Sequence, residues 1–409
     1  MKKSIAVTGN SGPKIRSDCE ITLELKDEGG IIIDLVSKVK ALYGESIESL
    51  VSEILRFFDI KNAFVKISDS GALPFVIAAR LESAVKQLIE TKLDYLPGFI
   101  EENRYSTTRD RFRFSRLYLP GNTPGLMINA GLHSADGIIL DLEDSVAPGK
   151  KDEARILVRN VLRQINFFGA ERMVRINQGE RGLDDLHFVV PHNVNLILIP
   201  KCESADYIIQ VEKEISGIKE KLSIVNQVFL MPIIESALGI ENSFGIARSS
   251  ENVVAIAIGL EDYTADLGVA RTAEGKESFY ARTRLVVAAN AAGIQPIDSV
   301  FSDVGDMEAL RQNVLTSKAL GFEGMGCIHP RQIPVIRQVF APDEIEIEKS
   351  KKIVLAFETA KQKGLGVVAI GSKMIDAPVV SRAQRMLDLA MRLGTLSATW
   401  MDGFRVEDN

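Results

Sequence analysis

Asp141, Glu143 and Asp144, then Arg175, Lys201, Glu235, Glu261 with Asp262, Asp298 and His329 each stand at or just past the end of a short apolar run. If those runs are parallel strands, their charges gather on one face. Glu235 and Asp262 follow neighbouring runs, and two carboxylates suit Mg²⁺, whose other octahedral places go to water and substrate oxygens. Either could instead cap the helix behind it, since acidic groups favour helix starts. Arg175, in Val-Arg-Ile-Asn, could pair a buried carboxylate. The reading favoured here is a clamp on a substrate carboxylate through two parallel hydrogen bonds. The segment Asp141 to Val146 could merely end its strand, or Asp141, Glu143 and Asp144 could bind substrate or orient water held by the metal. His329-Pro330 reads as a structural stop and is left outside the catalytic set.

The elements that must position these groups are legible as alternation. Leu117-Tyr-Leu, Gly137 to Asp141, Met173 to Ile176, Leu196 to Ile199, Val228 to Met231, Val253 to Ile258, Gln295-Pro-Ile297 and Gly324 to Ile328 are β-rich runs separated by helical patterns. Several lack polar alternation, as expected of strands covered by helices on both sides. Eight such units in about 230 residues predict a TIM (β/α)8 barrel, α/β in class, whose strand C-termini share one mouth. Residues 113–342 are assigned to it.

The flanks read differently. Residues 1–93 form a small α+β unit. Cys19 to Leu25 alternates like a half-buried strand, Ile31 to Leu35 follows Gly29-Gly30, and Ala63 to Ile67 is another strand. Ile47 to Phe58 carries one apolar helix face. Leu73 to Ile77 reads as a partner strand and Ala79 to Lys92 as a closing helix. Residues 94–112 are assigned to a linker. Residues 343–409 are a C-terminal helical extension: a helix from Glu344 to Gln362, a Gly/Val loop from Gly364 to Gly371, and a helix from Ala377 to about Met391.

Composition narrows the class. With 46% hydrophobic residues, 25% charged residues and a formal charge of −6, the chain reads as a globular protein with no affinity for nucleic acid. No run of about 18 apolar residues is present to span a membrane, and no apolar signal core follows Met1-Lys2-Lys3. Cys19, Cys202 and Cys327 lie too far apart for a metal knuckle, and the cytoplasm is the expected compartment. Arg109 to Arg116 interleaves aromatic and basic residues; a solvated approach to the first barrel strand, with room for a contact to a nucleotide-like phosphate, accounts for it better than RNA binding. Gly9 to Lys14 lacks phosphate-loop spacing.

Several motifs, in order, carry a resemblance. Arg-Leu-Tyr-Leu-Pro-Gly-Asn from Arg116, Leu-Asp-Leu-Glu-Asp-Ser-Val-Ala-Pro from Leu140, Val-Arg-Ile-Asn, Ile-Ile-Glu-Ser and Gly-Leu-Glu-Asp-Tyr-Thr-Ala-Asp-Leu-Gly from Gly259 resemble the citrate lyase beta subunit. This is the HpcH/HpaI-type aldolase family, which includes malyl-CoA lyases. Gly-Phe-Glu-Gly-Met-Gly-Cys-Ile-His-Pro and Met-Ile-Asp-Ala-Pro extend the likeness, so that it spans roughly Arg113 to Leu389. It implies a barrel lyase with Mg²⁺ on Glu235 and Asp262 and Arg175 on the substrate. It also implies a homotrimer-based assembly (trimer or hexamer) in which Asp376 reaches a neighbour's active site as general acid. The expected reaction is retro-Claisen cleavage of a citryl thioester to oxaloacetate and an acetyl thioester. Alternatives are malyl-CoA-type cleavage, hydrolysis of a related thioester, or a non-catalytic role in a larger complex. Phe114 stands where the family usually has Arg and Met325 where it often has Lys, so the likeness does not say how the thioester's nucleotide is held.

Ala-Leu-Tyr-Gly-Glu-Ser-Ile from Ala41, with Asp69 to Glu82, resembles the citrate lyase acyl carrier (gamma) subunit. That implies a carrier–lyase fusion, a CoA-derived prosthetic arm and an alpha-like partner subunit. Counting back from Tyr43-Gly44 sets Asp18 on the carrier loop's aspartate and Arg16 where the arm-bearing serine belongs. Either Ser17 beside it carries the arm or the arm is lost.

Overall fold

The computed structural model describes residues 4–362, 364–371 and 373–402. The chain divides into two compact units, Met1–Ile333 and Pro334–Asn409. No helix among the described residues is long and apolar enough to cross a membrane.

The first unit opens with a four-stranded sheet: β1 (Ile5–Gly9), β2 (Cys19–Leu25), β3 (Ile31–Ser37) and β4 (Ala63–Asp69), in the order β1-β2-β4-β3. Only β3 and β4 run parallel. The alternation expected over Cys19 to Leu25 is present, with Cys19, Ile21 and Leu23 buried. They pack on α1 (Lys40–Phe57), which turns Ile47, Val51, Ile54 and Leu55 inward. The partner strand expected at Leu73 to Ile77 is absent. Pro74 instead starts α2 (Pro74–Leu88) at a position where its missing N–H is no loss.

Helix α2 is buried from Phe75 to Val85 because it packs both on this sheet and on a helix of the barrel. That barrel helix, following the single turn α3 (Pro124–Met127), is α4 (Lys151–Gln164). Buried charges cross the seam. Arg80 donates from Nε and Nη2 to the two oxygens of Asp18 (2.9 Å each) and from Nη1 to Asn122 Oδ1 (2.5 Å), with Glu153 Oε1 at 3.6 Å. Arg159 of α4 meets both oxygens of Glu82 at 2.8 and 2.6 Å. Glu153 accepts from the Gly9 amide (2.9 Å), and Lys150 donates to the Gly9 carbonyl (3.0 Å).

The barrel follows. Strands β5 (Ser115–Pro120), β6 (Gly137–Asp141), β7 (Glu171–Arg175), β8 (Leu196–Ile199), β9 (Phe229–Ile234), β10 (Ala255–Ile258), β11 (Gln295–Ile297) and β12 (Met325–Cys327) form one parallel sheet. Pairing of β12 with β5 and a bridge from Asp298 to Met325 close it. All eight expected strands are present. The lumen is filled by Ile139, Met173, Leu198, Met231, Ile233, Ala257 and Ile297 with Tyr118 against them, so this is a packed core with a mouth. The solvated approach expected over Arg109 to Arg116 is corrected at two residues. Arg113 is buried because Glu171 on β7 receives its Nε and Nη2 at 2.8 and 2.9 Å. Arg116 is buried because its side chain enters the lumen.

In the second unit the helices Glu344–Gln362 and Ala377–Arg392 pack through Val354, Leu387 and Ala390. The expected Gly/Val loop contains one strand of a hairpin, Val368–Ile370 against Lys373–Ile375. Asp376 caps the last helix, its Oδ1 accepting from the Val379 amide (3.2 Å).

Candidate active site

The C-terminal ends of the barrel strands surround a cavity of about 1030 Å³, lined by Arg116, Tyr118, Asp141, Arg175, Glu235 and Asp262 among others. Asp141 and Arg175 end adjacent strands in register. Arg175 donates from Nε and Nη2 to the two oxygens of Asp141 (2.6 and 2.8 Å), and its Nη1 lies 3.0 Å from Glu143 Oε2. Burial disfavours charge on both partners, yet the bidentate pairing prevails, holding Asp141 below and Arg175 above their ordinary ranges. The alternative reading of Arg175, a pair with a buried carboxylate, is therefore present in the fold. Gln178 donates to Glu143 Oε1 at 2.8 Å. Burial still raises Glu143, against the opposing charge of Arg175.

Glu235, just past β9, is 6 % exposed and has no cationic side chain bonded to it among the described residues. Its Oε2 accepts from the Lys201 amide (2.8 Å), which a left-handed Lys201 (φ 47°) turns inward. Its other oxygen lies on the backbone of Gly259, where any Cβ would collide with the carboxylate. Burial pushes Glu235 up to about 7, against the Lys201 amide and Arg175. Such a carboxyl lacks a positive charge.

Asp262 lies in the first turn of the helix Leu260–Asp266 but makes no capping bond; its side chain is 43 % exposed and faces the same cavity. The ammonium of Lys201 stands 3.5 Å from Asp262 Oδ1, 3.5 Å from Asp144 Oδ2 and 3.6 Å from Glu143 Oε1. A cation thus already occupies the middle of this acidic ring. Among the described residues no three His, Cys, Asp or Glu side chains cluster as a metal ligand set. Glu235 and Asp262 still meet the lesser demand of Mg²⁺ for one or two carboxylates.

The structure brings Asp141, Glu143, Asp144, Arg175, Glu235 and Asp262 to one mouth. Asp298 is engaged by Arg282 and Ser317, and Glu261 by Arg271 (2.7 Å). Ser17, on the β1–β2 loop, is half-buried with a left-handed φ of 57°, its amide held by the Ser70 carbonyl (3.0 Å). Asp376 belongs to the second unit. Arg116 and the ring position of Lys201 went unassigned by sequence reading. The only signal for Arg116 was a charge inside an apolar strand.

A metal must displace the Glu235 proton before binding there. If Glu235 holds Mg²⁺, the affinity is expected to be flat above about pH 7 and to weaken roughly tenfold per pH unit between there and the ordinary carboxylate range. Calorimetry across that window should show a matching proton release. A flat affinity from pH 5.5 to 7.5 would remove Glu235 from the ligand set.

Comparison with known proteins agrees with this geometry. Residues 115–330 match the family described as HpcH/HpaI aldolase/citrate lyase, and residues 8–88 match an acyl-carrier family described as malonate decarboxylase delta subunit (MdcD). Citrate lyase subunit beta of Leuconostoc mesenteroides subsp. cremoris is 38% identical over 288 residues, covering 69% of this chain and 94% of that protein. Mitochondrial citramalyl-CoA lyase of Homo sapiens is 31% identical over 286 residues, covering 67% and 84%. The crystal structure of protein CitE from Mycobacterium tuberculosis in complex with magnesium, acetoacetate and coenzyme A is similar with a TM-score of 0.58 at 28% identity, covering 69% of this chain and 99% of that one. With a closed barrel, one acidic mouth and these relatives, the chain belongs to the HpcH/HpaI aldolase/citrate lyase family of carbon–carbon lyases and carries an acyl-carrier-like unit at its N-terminal end.

Proposed function

We propose that this protein is a Mg²⁺-dependent cytoplasmic lyase that cleaves a citryl thioester to oxaloacetate and an acetyl thioester. The observation that carries this reading is Glu235, a buried carboxyl without a cationic partner, set beside Asp262 at the mouth that holds Arg175. The named activity of the citrate lyase beta relative supports the citryl substrate. Magnesium and coenzyme A beside the similar CitE barrel support the metal and the thiol.

Bound Mg²⁺ supplies a Lewis acid for the substrate hydroxyl and its neighbouring carboxylate. The protein's own groups do the remainder. Asp141 and Glu143 fix the Arg175 guanidinium, which lines the cavity and would stabilise negative charge on the thioester oxygen as the carbon–carbon bond breaks. A base, water or a carboxylate of the mouth, takes the hydroxyl proton, the hydroxyl oxygen becomes the keto oxygen of the released acid, and the bonding pair stays on the thioester carbon. Asp376, from a neighbouring copy in a trimer-based assembly, returns a proton to that carbon.

The substrate is proposed to be a free CoA thioester. Arg16 occupies the carrier serine's place, its carbonyl 2.7 Å from where a Cβ on Gly125 would stand, and Gly125 lines the cavity. The carrier-like loop thus packs behind Gly125 rather than standing free of the barrel. A Ser17-borne arm, with an alpha-like partner loading it, is the second reading.

Purified protein is expected to release oxaloacetate from citryl-CoA in a Mg²⁺-dependent reaction. Intact mass should equal the unmodified chain, and Asp376→Asn should lose most turnover. Glyoxylate from malyl-CoA alone would move the assignment to the malyl branch. A mass increment on Ser17 would restore the carrier arm. Release from neither thioester would favour a scaffold role.

A further inference from the structure

Several arginines of the barrel are wholly or largely buried, in different company; Arg172, away from the cavity, is held by the Asn193 and Tyr105 carbonyls. Arg113 has Glu171, Arg175 has Asp141 and Glu143, and Arg282 has Asp298. Arg116, on β5, is 1 % exposed and lines the cavity, yet no carboxylate pairs with it among the described residues. Its Nη1 donates to the Met231 thioether across the lumen (2.9 Å), a weak acceptor, and its Nε has no partner. Holding an ion out of water without a counter-charge is costly, and burial pulls the Arg116 pKa down. Arg175 is neutralised twice over, so the cavity-lining arginine left without a counter-charge is Arg116.

The ligand that completes such a site is an anion, and the planar guanidinium fork fits a carboxylate. The hydroxyl and adjacent carboxylate of the scissile acyl group are already spoken for by Glu235, Asp262 and their cation. What remains is any further carboxylate on the acid. Citryl thioesters have one; malyl and citramalyl thioesters carry hydrogen or methyl there.

We propose that Arg116 binds the second carboxylate of the acid released, and so selects thioesters built on a dicarboxylic 2-oxo acid over those built on a monocarboxylic one. This inference rests on the lyase reading for its substrate frame. It stands on geometry for its anion.

The test compares oxaloacetate with pyruvate, as ligands in calorimetry with Mg²⁺ and as condensation partners of acetyl-CoA, in wild type and Arg116→Met. Wild type is expected to prefer oxaloacetate. The variant should lower that preference, in Kd and in kcat/KM, by about 100-fold, with pyruvate changed less than twofold. It should melt no lower than wild type, since an unpaired buried charge has been removed. An unchanged ratio, or equal weakening of both acids, overturns the proposal. If wild type shows no turnover but the binding preference falls in the variant, Arg116 keeps its role and the lyase reading fails instead. Should Arg116→Met not fold, Arg116→Lys keeps the charge without the fork. A ratio reduced about tenfold there supports the proposal, and an unchanged one overturns it.

Discussion

Glu235→Gln is expected to lose roughly 10³-fold in Mg²⁺-dependent turnover and, without metal at pH 8, to be more stable than wild type. Losing the charge at a metal site forfeits several kcal/mol of transition-state stabilisation, and each 1.36 kcal/mol is tenfold in rate. The gain in stability comes from the same burial. Glu235 titrates near 7 in the folded protein against an ordinary 4.5, so the fold favours its protonated form. Its penalty is absent below about pH 4.5, grows as pH rises through that window and is complete above about 7, where it amounts to about 3 kcal/mol. Glutamine keeps the shape and stays neutral throughout. Denaturant unfolding of both metal-free proteins at pH 4.5 and 8 measures the effect. Turnover within tenfold of wild type, or a variant less stable at pH 8, would refute the assignment.

Arg80→Met is expected to cost about 3–5 kcal/mol, the usual result of leaving buried charge without its partner. Asp18, 2 % exposed, relies on this guanidinium, while Glu153, 3 % exposed, has it at 3.6 Å and keeps Lys150 at 3.0 Å. Arg80→Lys should recover little, because an ammonium cannot span both Asp18 oxygens and Asn122 at once. Urea unfolding followed by circular dichroism would show the loss as a lower midpoint. A loss under 1 kcal/mol would mean that water reaches the seam and the charges were never sequestered.

Period and punctuation carried most of the fold. All eight barrel strands were readable because each is a short apolar run between helical patterns, and most bear a charge at the mouth-side end, as at Leu140-Asp141 and Ile234-Glu235. Leu73 to Ile77 misled because a five-residue apolar run fits a strand as well as a helix. The deciding fact, that α2 is covered on two sides by β-sheet and barrel, is tertiary. In the site, the positions of Glu235 and Asp262 followed from strand order alone. The capture of Arg175 by Asp141 was foreseen only as an alternative, because pairing across β6 and β7 depends on register. Arg116 was illegible: inside an apolar strand, sequence offers no way to tell a charge buried with a partner from one buried without.

The seam between the carrier-like sheet and the barrel bears on how a free-thioester enzyme would be supplied. A swinging arm would present its acyl cargo at an effective concentration of millimolar order, however dilute the cell's own pool. Here α2 is clasped between its sheet and α4, with Arg80 and Arg159 locked across the join. A unit so clasped does not itself travel between sites, and any delivery from it would fall to an arm on Ser17. On the free-thioester reading, flux follows bulk metabolite level: the enzyme idles when the pool falls and accelerates when it refills, behaving as a gauge of its own substrate.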